Sequence, residues 1–213
     1  MDKVTIGIIL LTVLISYKGF NDINFFNRFK FQTGAIAHRE YIRLLSSGFL
    51  HVDVSHLLFN MLTLYFFADV IIDNLGHLNF VIVYFISLLN GNILTYLYHK
   101  KNTYYSAVGA SGAVSGVLFA AILLFPNMSL YIMFIPIPIP AYVVGIGYLA
   151  YTVFGMKKQL GNIGHSAHLG GAIAGLVVCL VLLPELIQTR TLILALLVIP
   201  ILIFLVLEKK ING

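Results

Sequence analysis

The sequence predicts an all-α fold, a polytopic membrane helical bundle. Hydrophobic residues make up 60% of the 213-residue chain and charged residues only 10%, a balance more apolar than a water-soluble core requires. Mean hydropathy is +0.96. The apolar residues gather into runs of about 17–20, the length at which a helix crosses a bilayer. The chain is long enough for one compact bundle, read as a single domain over residues 1–213.

Seven runs are expected to form spans, in the order Val4–Phe20, Val54–Ile72, Leu78–His99, Ser111–Phe125, Pro140–Met156, His165–Pro184 and Thr191–Leu207. Lys3 precedes the first, but Asp2 flanks it and no A-x-A cleavage site follows, so it reads as a retained span rather than a signal peptide. In the connection Asn21–Asp53, Phe25, Phe26, Phe29, Phe31 and Tyr41 alternate with Arg28, Lys30, Arg39 and Arg43. That composition suits a structure lying in the headgroup layer. The fourth run is short. Pro136-Ile137-Pro138-Ile139-Pro140 excludes a helix interior and predicts an extended entry to the fifth span, with Pro140 near its first turn. Lys157–Gly164, with two lysines and two glycines, reads as a mobile cap. Pro200 is expected to kink the last span.

Cys179, the single cysteine, lies within an apolar run, so neither a disulfide framework nor a cysteine metal site is expected. The formal charge of +5 resides mostly in loops between apolar runs, where the lipid bilayer's headgroups are the natural partner. No nucleic-acid partner is expected.

Two polar residues stand at the heads of apolar runs, Ser111 before Ala113–Phe125 and His168 before Leu169–Leu183. Polar groups at membrane depth are costly and mark functional sites. Gly109 and Gly112 flank Ser111 and permit a tight turn. A helix N-terminus there favours developing negative charge. Taken alone, Ser111 also reads as an ordinary N-cap, and His168 as a helix–helix hydrogen bonder or metal ligand. The surrounding helices favour chemistry. Gly112, Gly116 and Ala120 repeat every four residues, as do Ala167, Gly171 and Gly175, a spacing that lets two helices meet backbone to backbone. Packing these faces together would bring hydroxyl and imidazole to one depth. No acidic residue lies in span four or near the head of span six, so a Ser–His dyad is expected rather than a triad. His56 and Asn60, at i and i+4 on one face of span two, are candidate oxyanion donors, or interhelical hydrogen bonders only. His51 is read as structural within the long loop.

Other chemistries are weaker. There is no HExxH motif for a metalloprotease. His165 and His168 could share a metal with His51 or His56, but no nearby carboxylate supports this. No charge sits mid-span and no inverted repeat is evident, which disfavours a transporter. A catalytically inactive, client-binding membrane protein is a further class, disfavoured by the presence of both Ser111 and His168.

The constellation of Arg43, His51…His56-x-x-x-Asn60, Gly109-Ala110-Ser111-Gly112 and Ala167-His168-x-x-Gly171 resembles the rhomboid intramembrane serine proteases over about Tyr41–Val181. The resemblance implies a six-helix core over about residues 4–184 plus a seventh span over about 191–207. It implies Ser111 as nucleophile and His168 as general base, with His56, Asn60 and the Ser111 backbone as the oxyanion site. Span five and Lys157–Gly164 would be gate and cap. No cofactor is implied, and the partners would be transmembrane protein substrates, single-span proteins cut near a small residue. Two departures stand out. The first loop has Tyr41-Ile42-Arg43 where the family often has Trp-Arg, and Ser115 occupies a position, four after the serine, where an aromatic commonly packs under the catalytic histidine.

The resemblance also implies a cell (inner) membrane location, the chain's start inside and the site opening to the extracytoplasmic side. In that orientation only Lys3 and Arg190 of the 13 Lys and Arg residues face the cytoplasm. The positive-inside rule alone predicts the reverse.

Overall fold

A computed structural model describes residues 2–132, 135–158 and 164–212. Helices form at each of the seven expected spans, and the chain is an integral, multi-pass membrane protein. They are α1 (Lys3–Asn21), α5 (Val54–Leu75), α6 (His77–His99), α7 (Ser111–Leu124), α8 (Ala141–Lys158), α9 (His165–Leu182) and α11 (Thr191–Asn212). Among the described residues, α1, α5, α6 and α9 are each long and apolar enough to cross a membrane, while α7 and the 191–202 part of α11 are shorter apolar helices. Pro200 lies inside α11. Residues 159–163, most of the expected cap, lie outside the described residues.

The shortness of α7 follows from its position. Its 14 residues rise roughly 21 Å, against about 30 Å of hydrocarbon. Nearly every residue from Gly112 to Leu124 is buried, so α7 is wrapped by protein and need not match the lipid.

The long connection after α1 is folded. It holds α2 (Ile23–Phe29), β1 (Phe31–Gln32), α3 (Thr33–Ala37), α4 (Arg43–Ser46) and a 3-10 turn at Ser47–Phe49. Strand β1 pairs antiparallel with β2 (Ser106–Ala107), matching Phe31 with Ala107 and Gln32 with Ser106. Arg43 is buried and holds the loop together. Its Nη1 donates to the carbonyls of Asn27 and Lys30, both at 2.9 Å, and its Nε donates to Glu40 at 2.8 Å. Three charge-assisted bonds offset the desolvation of the guanidinium. The α6 residue Asn92 clamps the same loop, donating to the Leu44 carbonyl at 2.7 Å.

The proline-rich segment is extended, as its composition predicts, and pairs back on the chain. Strands β3 (Ser129–Ile132) and β4 (Ile135–Pro140) form an antiparallel hairpin between α7 and α8. Pro140 ends β4 and directly precedes α8, one position outside the expected first turn. Near α11 lies α10 (Leu186–Thr189).

Candidate active site

The two small-residue faces meet. A β-carbon on Gly171 would overlap the Gly112 carbonyl, one on Gly175 would overlap the Gly116 carbonyl, and one on Gly112 would stand 3.3 Å from the Ala167 carbonyl oxygen. This register sets the start of α7 beside the first turn of α9. Helix α6 closes the third side. A β-carbon on Gly91 would lie 2.6 Å from the Ala167 carbonyl oxygen, and the hydroxyls of Thr95 and Ser166 meet at 2.9 Å. Ser87, Gly91 and Thr95 repeat every four residues along α6, a small-residue signal of the same kind that the sequence reading did not use.

Ser111 is the first helical residue of α7. Ala110 takes the N-cap position, and its side chain makes no capping hydrogen bond, so the N-cap reading of Ser111 does not hold. Gly109 has φ +134°, a left-handed conformation that glycine accepts without penalty. A β-carbon there would stand 2.7 Å from Cε1 and 2.9 Å from Nε2 of His56. The turn before Ser111 thus lies directly on the His56 ring. Asp53 caps α5, accepting from the His56 backbone N–H at 2.7 Å and from the Ser55 hydroxyl at 2.7 Å. Those bonds, the His56 N–H foremost, hold its carboxyl below the usual range. The cap fixes His56 in the first turn of α5, facing the site. Asn60, one turn on, donates one amide hydrogen to the His56 carbonyl at 2.9 Å. An amide nitrogen has a second hydrogen to give.

His51 does more than brace the loop. Its ring is buried and lies edge-on to His56 at 4.9 Å between centroids. Nε2 accepts from the Ala110 N–H at 3.3 Å, and Nδ1 lies 2.9 Å from the Ser16 hydroxyl, which in turn donates to the Phe49 carbonyl at 2.9 Å. One assignment satisfies all three bonds: a neutral ring protonated at Nδ1, donating to Ser16 and accepting from Ala110. Burial, with a smaller contribution from the neighbouring His56, pushes the His51 pKa down to about 3, which keeps Nε2 an acceptor. The Gly109 N–H is held as well, by the Ser47 carbonyl at 3.0 Å. The backbone leading into Ser111 is therefore pinned at two successive residues.

His168 has an aromatic neighbour from α8. The Tyr148 ring stacks on it at 5.7 Å and 24°. The Tyr148 hydroxyl meets the Ser115 hydroxyl at 2.7 Å. His165 stands edge-on to Tyr151 at 5.3 Å and 6.2 Å from the His168 ring. Among the described residues, no three His, Cys, Asp or Glu side chains gather as a metal site.

A cavity of about 950 Å³ is lined by Ser111, His168, His56 and Asn60, together with Ser115 and Tyr148. All four residues expected from the sequence thus face one space. Val52, Phe59 and Val108 line it too.

The comparisons with known proteins agree in kind. The Rhomboid domain matches residues 38–185. Over 186 residues the chain is 29% identical to RHOMBOID-like protein 12, mitochondrial, of Arabidopsis thaliana, covering 79% of this chain and 55% of that protein. It is 32% identical over 139 residues to Rhomboid protein 1, mitochondrial, of Saccharomyces cerevisiae, covering 64% and 40%. It is 30% identical over 146 residues to Rhomboid protease GluP of Bacillus subtilis, covering 68% and 26%. The chain thus spans between about a quarter and about half the length of these relatives. The domain match takes in the folded first loop from His38, both glycine seams and all four cavity residues, and by it the chain belongs to the rhomboid family.

Proposed function

We propose that the chain is an intramembrane serine endopeptidase that hydrolyses peptide bonds in or near transmembrane segments of other proteins. The observation that carries this reading is the single cavity lined by Ser111, His168, His56 and Asn60. Ser111 Oγ attacks the scissile carbonyl while His168 takes its proton, and His168 returns that proton to the leaving amine. The carbonyl oxygen becomes an oxyanion facing the Ser111 N–H at the start of α7, with His56 and the second amide hydrogen of Asn60 as side-chain donors. Water then attacks the acyl-enzyme, with His168 again as base, and Ser111 is regenerated. The chemistry needs no cofactor.

The proposed substrate is a membrane protein, because the helices that line the cavity belong to the membrane bundle and the exposed Phe59 of α5 borders it. A transmembrane helix shields its own peptide bonds with internal hydrogen bonds, so the segment cut is one that unwinds easily, near small residues. Asp2 receives the His77 imidazole at 2.8 Å at the start of α6, whereas Ser16, near the other end of α1, reaches His51. The cavity mouth therefore lies at the membrane face opposite the start of α1. We assign that face to the extracytoplasmic side.

The test is cleavage of a single-span substrate by the purified protein in detergent or liposomes. Wild-type protein cuts it; Ser111→Ala and His168→Ala do not. Turnover by Ser111→Ala overturns the reading.

A further inference from the structure

We propose that Tyr148 is the positioning residue of His168, supplied from α8 and anchored by Ser115, so that the dyad is in order only while α8 rests against α7 and α9. This rests on the assignment of His168 as the general base. Three contacts define the arrangement. The Tyr148 ring stacks on the His168 ring at 5.7 Å with an interplanar angle of 24°. Its other neighbour is Phe119 of α7, at 5.8 Å and 48°. Its hydroxyl is bonded to Ser115 Oγ at 2.7 Å. The ring is thus held between two helices by packing and fixed in rotation by one hydrogen bond.

A dyad needs this support. Among the described residues, the only carboxylate lining the space around Ser111 and His168 is that of Asp53, which caps α5. That carboxylate is taken up by the His56 N–H and the Ser55 hydroxyl, so among the described residues ring stacking takes the role of orienting the imidazole. Position 115 on α7 holds only a hydroxyl, and the aromatic surface comes from the neighbouring helix instead.

The support has a consequence for movement. Helix α8 is the part of the cavity wall that carries Tyr148. One turn before Tyr148, Gly145 packs between Ile122 of α7 and Leu197 of α11; a β-carbon there would stand 3.0 and 3.2 Å from their methyl groups. Displacing α8 from α7 removes Tyr148 from His168 and separates its hydroxyl from Ser115. The imidazole then loses its stacked neighbour, and Ser111 loses its ordered base. Attack on the substrate requires α8 to be seated.

Two readouts test this on the full chain, with Tyr148→Phe, Tyr148→Leu and Tyr148→Met. The first is the His168 imidazole Cε1 resonance in detergent, which senses the Tyr148 ring current whether or not the protein is active. Tyr148→Phe leaves it near the wild-type position, whereas Tyr148→Leu and Tyr148→Met shift and broaden it. The second is kinetic. Loss of the ring lowers kcat roughly 10- to 100-fold, the scale on which misplaced catalytic groups act, with KM within about two-fold of wild type. Tyr148→Phe stays within a few-fold. An unmoved, sharp His168 resonance in Tyr148→Leu or Tyr148→Met overturns the proposal. So does an equal loss of kcat in Tyr148→Phe and Tyr148→Leu. If the wild type cuts nothing yet the resonance behaves as expected, the protease reading fails and the positioning of His168 by Tyr148 stands.

Discussion

Gly171 of α9 lies so close to Gly112 of α7 that a β-carbon on it would overlap the Gly112 carbonyl. This contact sets the height of Ser111 against His168, because each glycine is within three residues of one of them. In a membrane the helices gain little from hydrophobic burial and associate by close packing. Removing that closeness should separate the two polar residues.

Gly171→Ala is therefore expected to force the backbones apart, lowering the melting temperature in detergent and turnover by more than 10-fold. Overpacking of this kind costs about 1–3 kcal/mol or more. Gly147→Ala is the control. It is exposed, with nothing within 4 Å of a β-carbon, and in a helix the change gains up to about 1 kcal/mol. Thermal melts and cleavage assays on both variants check the contrast.

The His51 network predicts a pH dependence. The ring's pKa is about 3 in the folded chain against an ordinary 6.5. Between these values the unfolded chain binds the extra proton. The stability His51 contributes is thus complete above about pH 6.5, declines as pH falls, and is gone near pH 3. His51→Gln should be less stable at pH 7 and show a flatter stability profile across that window. Ser16→Ala leaves Nδ1 without its partner and should cost roughly 1–3 kcal/mol, with slower turnover as the Ala110 turn loosens. Melting temperatures between pH 4 and 8 read both effects.

Asn60→Ala should slow turnover by roughly 10²–10³, the loss typical of one oxyanion donor, while a fluorophosphonate probe still labels Ser111. Intact turnover with only a lower melting temperature would make Asn60 a packing residue that serves the His56 carbonyl.

The side of the membrane can be read with one cysteine. Cys179 is buried, so Cys179→Ala gives a clean background. Lys158, exposed at the end of α8, is then changed to cysteine. An impermeant thiol reagent added to intact cells should label it. Protection until the membrane is opened would put the cavity mouth on the cytoplasmic side, as the positive-inside count alone predicts.

The spans and the fold class were legible because membrane helices announce themselves in continuous apolar length. That Ser111, His168, His56 and Asn60 would line one space was legible because each sits on a helix whose spacing can be read locally, and the glycine repeats said which faces would meet. What could not be read joins residues far apart in the chain. Ser16 and His51 are 35 positions apart and His51 and Ala110 are 59, and no periodicity links them. Tyr148 is, in sequence, one more aromatic in an apolar span; only packing puts it against His168. Pairing of Phe31–Gln32 with Ser106–Ala107, and the return of the proline strand on Ser129–Ile132, were hidden in the same way. The short fourth run was visible, but its cause, burial on all sides, was not.

The central claim is that Ser111 is a nucleophile activated by His168. The most direct measurement is the rate and site of labelling by a fluorophosphonate, mapped by mass spectrometry on wild-type protein, Ser111→Ala and His168→Ala. The account predicts a single adduct on Ser111 in the wild type, none in Ser111→Ala and almost none in His168→Ala, with all three equally folded. Wild-type protein that takes up no probe at Ser111, or a His168→Ala variant labelled at the wild-type rate, would contradict it.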